Sequence, residues 1–322
     1  MWHGPRPVKV PPHFWSWALL SAPGLGVIEL VAHLYFRDRT PQLEEYAALE
    51  PVVRELRGNA ELVAVSPYWA EPNLRWALGD ELMPLRDVAR PEERRYAAAI
   101  EVVLPGADSA FPDWKVDVSR EVGGFVVARR LNPSHQPVLY DFVDAFVGEG
   151  VAERVNVEVG RDKANRKPCG YKVNARVTNG ALGGHATFPS QRFECSDSEW
   201  DFVGLTVIED QNYRPKRCLW AHPPSGKRRK VIRYDGVELG SLITGFTGAP
   251  YLIDRETKGA PIQVVVSVDG EIIGEARHEN GDGWKGFSFA TDKYAGGRHS
   301  VEFEVFADSS KKRDFCFYAD VR

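Results

Sequence analysis

The stretch VVVSVDGEIIGEA, residues 264–276, decides the fold of the C-terminal part of the chain. Two runs rich in β-branched residues flank Asp269-Gly270, a dipeptide that favours the two-residue turn of a hairpin. The stretch therefore predicts two antiparallel strands joined at Asp269-Gly270.

Short runs of the same kind recur throughout residues 153–322, and clusters rich in Gly, Asn and Asp separate them. The predicted strands are 155–159, 172–178, 202–208, 231–234, 262–268, 271–275, 286–289 and 301–307. Many short strands at this spacing are typical of an antiparallel β-sandwich or jelly roll. We therefore expect a β-sandwich domain over residues 153–322.

Residues 37–152 have a different pattern and predict a small α/β domain. Helical spacing covers 41–57 and 71–78, a buried strand covers 61–65, a helix running into a strand covers 91–104, and extended segments cover 124–131 and 136–144. The expected fold class is α+β, with a tail over 1–13 and a separate helix over 14–36 ahead of the two domains.

The segment FWSWALLSAPGLGVIELVAHLYF, residues 14–36, predicts an N-terminal membrane-anchor helix. It would be about 34 Å long, enough to cross a hydrocarbon core of about 30 Å. Pro23 and Gly24 interrupt it, and Glu29 and His33 lie on one helical face. A buried helix of a domain core is the alternative. No A-x-A cleavage site follows, which disfavours a signal peptide.

The overall composition is that of a globular protein. The chain has 322 residues, 43% of them hydrophobic and 27% charged, which excludes disordered, collagen-like and coiled-coil classes. Its formal charge is −4 and no basic block dominates, so we expect no nucleic-acid partner.

The four cysteines carry information about the compartment. They contain no C-x-x-C pair, which disfavours a zinc site. Buried free thiols or two disulfides remain, and sequence alone allows three pairings. We expect Cys169–Cys195 and Cys218–Cys316, in a membrane-anchored protein exported to the periplasm or the cell surface.

Familiar catalytic signatures are absent from the sequence, and the eight histidines form no local ligand pair. No metal ion or cofactor is therefore expected. Glu209-Asp210 is the best acidic pair, but neighbouring residues on a strand point to opposite faces and cannot flank one glycosidic bond. A strand end entering a polar loop explains the pair more simply.

Two clusters combine an indole, an imidazole and a turn, as a sugar-binding loop does. The first is CLWAHPP at 218–224, with Trp220 and His222 as candidates. The second is HENGDGW at 278–284. Its candidate ligand-binding residues are His278, Asn280, Asp282 and Trp284. In the alternative interpretation both tryptophans belong to the core and the Asn-Gly and Asp-Gly pairs only form turns.

A third candidate patch lies in the α/β domain, in the sequence SPYWAEP at 66–72. It follows a predicted buried strand, and ligands of open α/β sheets bind at the carboxyl ends of strands. Tyr68, Trp69 and Glu71 are its candidate residues. The alternative is a proline-bounded loop that closes one end of the domain.

The arrangement from the apolar helix through AELVAVSPYWAEPNLRWALGDELMP resembles the extracytoplasmic tails of bacterial membrane glycosyltransferases of the dolichyl-phosphate-mannose type, over about residues 14–105. The catalytic membrane domain of those enzymes has no counterpart here, so the resemblance does not imply transferase activity. Residues from about 165 onward resemble a galactose-binding-type jelly roll of carbohydrate-binding modules. The hairpin at 264–276, the loop HENGDGW and the strand DFCFYADVR carry that likeness.

These observations favour a non-catalytic envelope protein whose β-sandwich binds carbohydrate or a protein partner, as an accessory to glycan transfer. An enzyme acting on envelope polysaccharide, with a site assembled from Glu71, Asp210 or the histidines, is the first alternative. A purely structural accessory subunit is the second.

Overall fold

The computed structural model describes residues 12–37, 41–58, 62–178, 187–224, 226–256 and 258–322. The helices are α1 (Pro12–Arg37), α2 (Leu43–Ala47), α3 (Glu50–Arg57), α4 (Glu71–Leu82), α5 (Leu85–Val88), α6 (Val151–Arg154) and α7 (Tyr251–Asp254).

The strands of the N-terminal part are β1 (Leu62–Ser66), β2 (Ala98–Val103), β3 (Lys115–Val122), β4 (Phe125–Leu131) and β5 (Tyr140–Asp141). Those of the C-terminal part are β6 (Val155–Gly160), β7 (Lys167–Pro168), β8 (Gly170–Lys172), β9 (Arg192–Glu194), β10 (Phe202–Glu209), β11 (Pro215–Ala221), β12 (Arg229–Glu238), β13 (Leu242–Gly248), β14 (Ile262–Val268), β15 (Glu271–His278), β16 (Lys285–Ala290), β17 (Arg298–Ala307) and β18 (Cys316–Val321).

The first unit is a small α/β sheet covered by helices α2 to α4. Its strand order is β1-β2-β4-β3, and only β1 and β2 run parallel. Every residue of β1 and β2 is buried, as expected for strands that are covered on both faces of the sheet. The predicted helix over 41–57 forms as two short helices, α2 and α3.

The predicted helix at the start of 91–104 is wrong, because residues 91–97 form turns before β2 begins. These residues lie at the boundary with the second unit, where Arg95 donates to the carboxylate of Asp141 at 3.0 Å and to the hydroxyl of Tyr318 at 2.7 Å. Such long-range contacts hold the turns in place. Secondary-structure propensities depend on neighbouring residues in the sequence and do not include them. Strand β3 was also not predicted.

The second unit is a β-sandwich, which confirms the central prediction. One sheet has the order β16-β13-β18-β11-β10-β9-β8, with β5 also on β18, and the other has the order β15-β14-β17-β12-β6-β7. Alternate residues of both sheets, together with Phe142 and Phe146 from the segment that follows β5, form its core.

The 264–276 hairpin forms as predicted, as β14 and β15. Asp269 and Gly270 adopt φ values of 50° and 83° at its turn. The strand predicted over 172–178 is wrong over most of its length: β8 ends at Lys172, and only an isolated bridge joins Thr178 to Phe188. The partner of β8 is β9, which has only three residues, so residues 173–178 extend past the end of that strand.

The segment predicted to be a membrane anchor forms helix α1, but none of the helices in the described residues is sufficiently long and apolar to cross a membrane. The membrane-anchor prediction is therefore not supported. Pro23, the glycines that follow it, Glu29 and His33 reduce the apolar content of the segment. Residues 1–11 of the predicted tail lie outside the described residues.

Both expected disulfides are present, Cys169–Cys195 and Cys218–Cys316. The first lies beside β8 and β9, and the second links the neighbouring strands β11 and β18. No described cysteine is free.

A candidate binding cleft between the two units

A cleft of about 340 Å³ lies where the α/β unit meets the sandwich. The α/β unit contributes the end of β1, the start of α4 and loops on either side of β2. The sandwich contributes the β10–β11 turn and the beginning of β11. Its lining residues are Val65, Tyr68, Glu71, Val88, Arg90, Glu93, Ala110, Phe111, Trp114, Arg214, Pro215 and Lys216.

Tyr68 connects the two walls of the cleft. It lies in a short 3-10 turn directly after β1, and its hydroxyl donates to the carbonyl oxygen of Asn212 in the β10–β11 turn at 3.1 Å. The guanidinium of Arg214 lies over its ring, 4.5 Å from the centroid. Tyr68 is 39% exposed, so part of its ring faces solvent.

The buried carboxylate of Glu101 fixes the loop that carries Phe111 and Trp114. It accepts hydrogen bonds from the Ser66 hydroxyl at 2.5 Å and the Ala110 backbone N–H at 2.7 Å. Ser109 and Arg130 also donate to it. A fully buried carboxylate with this many donors is well satisfied, and removing it would free the loop.

Aromatic rings line one side of the cleft. Phe111 is buried, and the ring of Trp114 packs against it at a centroid distance of 4.6 Å. Trp114 is half-buried. Together with Tyr68 it supplies flat apolar surface of the kind that packs against the C–H face of a sugar ring.

The opposite side carries charge. Arg90 donates to the carboxylates of Glu71 and Glu93, each at 3.2 Å. Burial raises the pKa of Glu71, and the positive charge of Arg90 opposes that effect. This triad places two carboxylates and a guanidinium along one edge of the cleft.

The sandwich wall adds two cations. Asp210 accepts from the backbone N–H groups of Asn212 and Arg214 and so shapes the turn that presents Arg214. The ammonium of Lys216 donates to the carbonyl oxygens of Arg90 at 3.3 Å and Pro91 at 3.5 Å. Burial lowers the pKa of Lys216.

The predicted loop 278–284 is held by internal contacts. His278 is 1% exposed, with its Nε2 atom 3.5 Å from the carboxylate of Asp254. Asn280 donates to the carbonyl oxygen of Ile253 at 2.7 Å. Asp282 accepts from the Glu279 backbone and from Lys285.

Trp284 packs against the segment that forms one wall of the cleft. Its indole nitrogen donates to the carbonyl oxygen of Pro91 at 3.1 Å, and its ring stacks on Phe246. The Lys216 ammonium lies 5.9 Å from the same ring. The structure therefore gives Trp284 contacts that join the two units.

Of the other predicted ligand-binding residues, some lie in the interior and some lie on the surface outside the cleft. Trp220 is fully buried and donates to the carbonyl oxygen of Trp200, while His222 lies 3.7 Å from Asp314. Trp69 is 56% exposed but does not line the cleft. Of the nine predicted ligand-binding residues, Tyr68 and Glu71 line it.

Sequence reasoning missed most of the cleft, including Arg90, Trp114, Arg214 and Lys216. No local motif contains them, and the docking of the two units brings them together. In the described part of the chain, no group of three or more His, Cys, Asp or Glu side chains is placed to hold a metal ion.

No protein-family model matches the chain, and no curated protein matches its sequence. Among solved structures, a second family-51 carbohydrate-binding module with INT domains of Clostridium perfringens ZmpB, in complex with GlcNAc, matches with a TM-score of 0.28 and 10% identity over 67% of this chain. The match covers 42% of the length of that protein.

Two further carbohydrate-binding modules match smaller parts of the chain. A family-51 module from a Clostridium perfringens GH95 protein, in complex with methyl-galactose, has a TM-score of 0.28 and 15% identity, covering 37% of this chain and 81% of that one. TmCBM61 in complex with β-1,4-galactotriose has a TM-score of 0.20 and 18% identity, covering 36% and 77%. These matches lend no support to the resemblance of residues 14–105 to glycosyltransferase tails.

Proposed function

We propose that this protein binds carbohydrate without chemically altering it, and that the cleft between the two units is its binding site. One observation carries the proposal: the rings of Tyr68 and Trp114 line the same concave surface as the charged groups of Glu71, Arg214 and Lys216. Apolar stacking surface beside a few polar groups is the chemistry that sugar recognition needs.

We further propose that the protein acts outside the cytoplasm, in the cell envelope. The two disulfides support this location, because disulfides persist in oxidising compartments and are rare in the cytosol. A free-thiol count on protein isolated from its host and denatured without reductant checks it. Near-zero free thiol supports export, and four free thiols per chain contradict it.

The binding proposal is tested by affinity electrophoresis through gels that contain individual polysaccharides. Wild type should be retarded by at least one polysaccharide, and Tyr68→Ala should weaken that binding about tenfold, which corresponds to about 1.4 kcal/mol. Tyr68→Phe keeps the ring but loses the hydrogen bond to Asn212, so its affinity should lie between those of wild type and Tyr68→Ala.

Trp76→Ala is the matched control, because Trp76 is 78% exposed on α4 and does not line the cleft. It should leave binding unchanged. If Trp76→Ala abolishes retardation while Tyr68→Ala does not, carbohydrate binds on the outer face of α4 and the cleft assignment is wrong.

Hydrolysis of a polysaccharide is a second candidate function, favoured by one observation. Glu71 and Glu93 both contact Arg90 in the cleft, so two carboxylates lie close together, and burial raises the pKa of Glu71. Glycosidases use such a pair, with the raised pKa on the general acid. Turnover of a chromogenic glycoside that is lost in Glu71→Gln would establish this activity, and no turnover across a glycoside panel would exclude it for those substrates.

A further inference from the structure

We propose that the cleft selects a saccharide that carries negative charge, such as the carboxylate of an acidic sugar, through Arg214 and Lys216. This inference rests on the proposed carbohydrate binding and names the ligand class of the same site.

Two of the three cations that line the cleft have no ion-pair partner among the described residues. Arg90 is neutralised by its contacts with Glu71 and Glu93. Arg214 and Lys216 have no carboxylate within ion-pair distance among the described residues, although both line the same cavity. Arg214 and Lys216 are therefore the two cations of the cleft that an anionic ligand can pair with.

Lys216 is the less usual of the two cations. A surface lysine extends into water, whereas Lys216 is half-buried and its ammonium is held by two backbone carbonyl oxygens. The carboxylates of Asp210 and Glu93 act on this charge only from beyond ion-pair distance, and placing a charge in a partly desolvated cleft is costly unless a closer partner arrives. An anionic ligand would supply that partner.

Arg214 is preorganised for the same task. Its backbone N–H is fixed by Asp210, and its guanidinium lies on the ring of Tyr68. The planar group remains exposed and has donors in the forked geometry that fits a carboxylate. A sugar ring that stacks in the cleft would thus have its acidic substituent beside two cations.

Isothermal titration calorimetry with the full chain tests the proposal using a matched pair of probes, an oligogalacturonate and its methyl ester, which differ in charge and in the added methyl groups. Wild type should bind the acid at least tenfold more tightly than the ester. Arg214→Gln should lower this ratio at least threefold, and Lys216→Gln should lower it further. Lys172→Gln removes the same charge from exposed strand β8 and should leave the ratio unchanged.

Arg214 is exposed, so its variant keeps the test decisive even if Lys216→Gln fails to fold. Sulfated dextran and a sugar phosphate serve as further probes: each should bind more tightly than its neutral parent sugar, and no preference over the neutral parent in either case would overturn the anion selection. Equal binding of acid and ester would overturn the charge selection but leave carbohydrate binding intact. Binding of free acetate or sulfate with no binding of any saccharide would overturn the proposed function instead.

Discussion

The indole nitrogen of Trp284 donates a hydrogen bond to the carbonyl oxygen of Pro91 at 3.1 Å, across the boundary between the sandwich and the α/β unit. Pro91 also accepts from Lys216, which lines the cleft. The same short segment therefore joins the two units and holds one wall of the candidate site.

Replacing Trp284 should consequently destabilise the protein. Trp284→Ala removes both the hydrogen bond and the stacking on Phe246, and we expect a loss of about 2 kcal/mol in the free energy of unfolding. Trp284→Phe keeps a stacked ring and should lose about 1 kcal/mol. Chemical denaturation measures both. An unchanged midpoint for Trp284→Ala, with loss of saccharide binding, would show that Trp284 contacts ligand instead.

A side chain at Gly270 should strain the β14–β15 turn. This residue has a φ of 83°, and a residue with a Cβ in that region costs about 1–2 kcal/mol. Gly270→Ala should lower the free energy of unfolding by that amount. Gly170→Ala is the matched control, because its φ lies outside the left-handed region and its added Cβ meets no atom within 4 Å. Equal effects of the two variants would contradict this explanation.

The two disulfides should differ in their contribution to stability. They close loops with sequence separations of 26 and 98 residues. In the chain-entropy model the longer loop stabilises by about 1 kcal/mol more. Replacing Cys218 and Cys316 together by Ala should therefore cost more than replacing Cys169 and Cys195. Urea denaturation of the two double variants measures both losses of stability. A larger loss for the variant without Cys169 and Cys195 would contradict the entropic account.

Binding of an acidic saccharide should weaken at alkaline pH through Lys216. Burial lowers the pKa of Lys216, and the charges of Arg90 and Arg214 lower it further, whereas Asp210 and Glu93 oppose them. The ammonium is therefore lost below the usual lysine pKa of about 10.4, and affinity should fall as pH rises through that lowered value.

The same shift has the opposite sign for stability of the free protein. Between the lowered pKa of Lys216 and about 10.4, the unfolded chain binds more protons than the folded chain, so stability rises with pH in this window. Titration calorimetry and thermal unfolding of wild type and Lys216→Met measure both effects. A variant that keeps the wild-type pH profile would show that another group titrates. Tyr68→Phe removes the nearby phenol as a control.

Much of the fold was predictable because its determinants are local. Asp269-Gly270 between β-rich runs is sufficient to specify a hairpin, and the predicted cysteine pairs match the disulfides observed. The turns at 91–97 were not predictable, since Arg95 is held there by Tyr318 from the last strand.

The candidate site was only partly predictable, because part of it depends on contacts between residues that lie far apart in the sequence. Tyr68 and Glu71 follow a buried strand, which is a readable signal. Arg214 and Lys216 reach them only when the units dock. The loop at 278–284 had the residue types of a sugar site, but Asp254 of α7 accepts from the backbone of Gly281 and Gly283 and draws the loop inward.

The most direct test of the central claim is hydrogen–deuterium exchange of the full chain with and without a bound saccharide. If the cleft is the carbohydrate site, protection should be confined to peptides that cover residues 66–72, 88–93, 109–114 and 210–216. Protection confined to 278–284 or to the outer face of α4 would contradict the account, as would no protection under saturating saccharide.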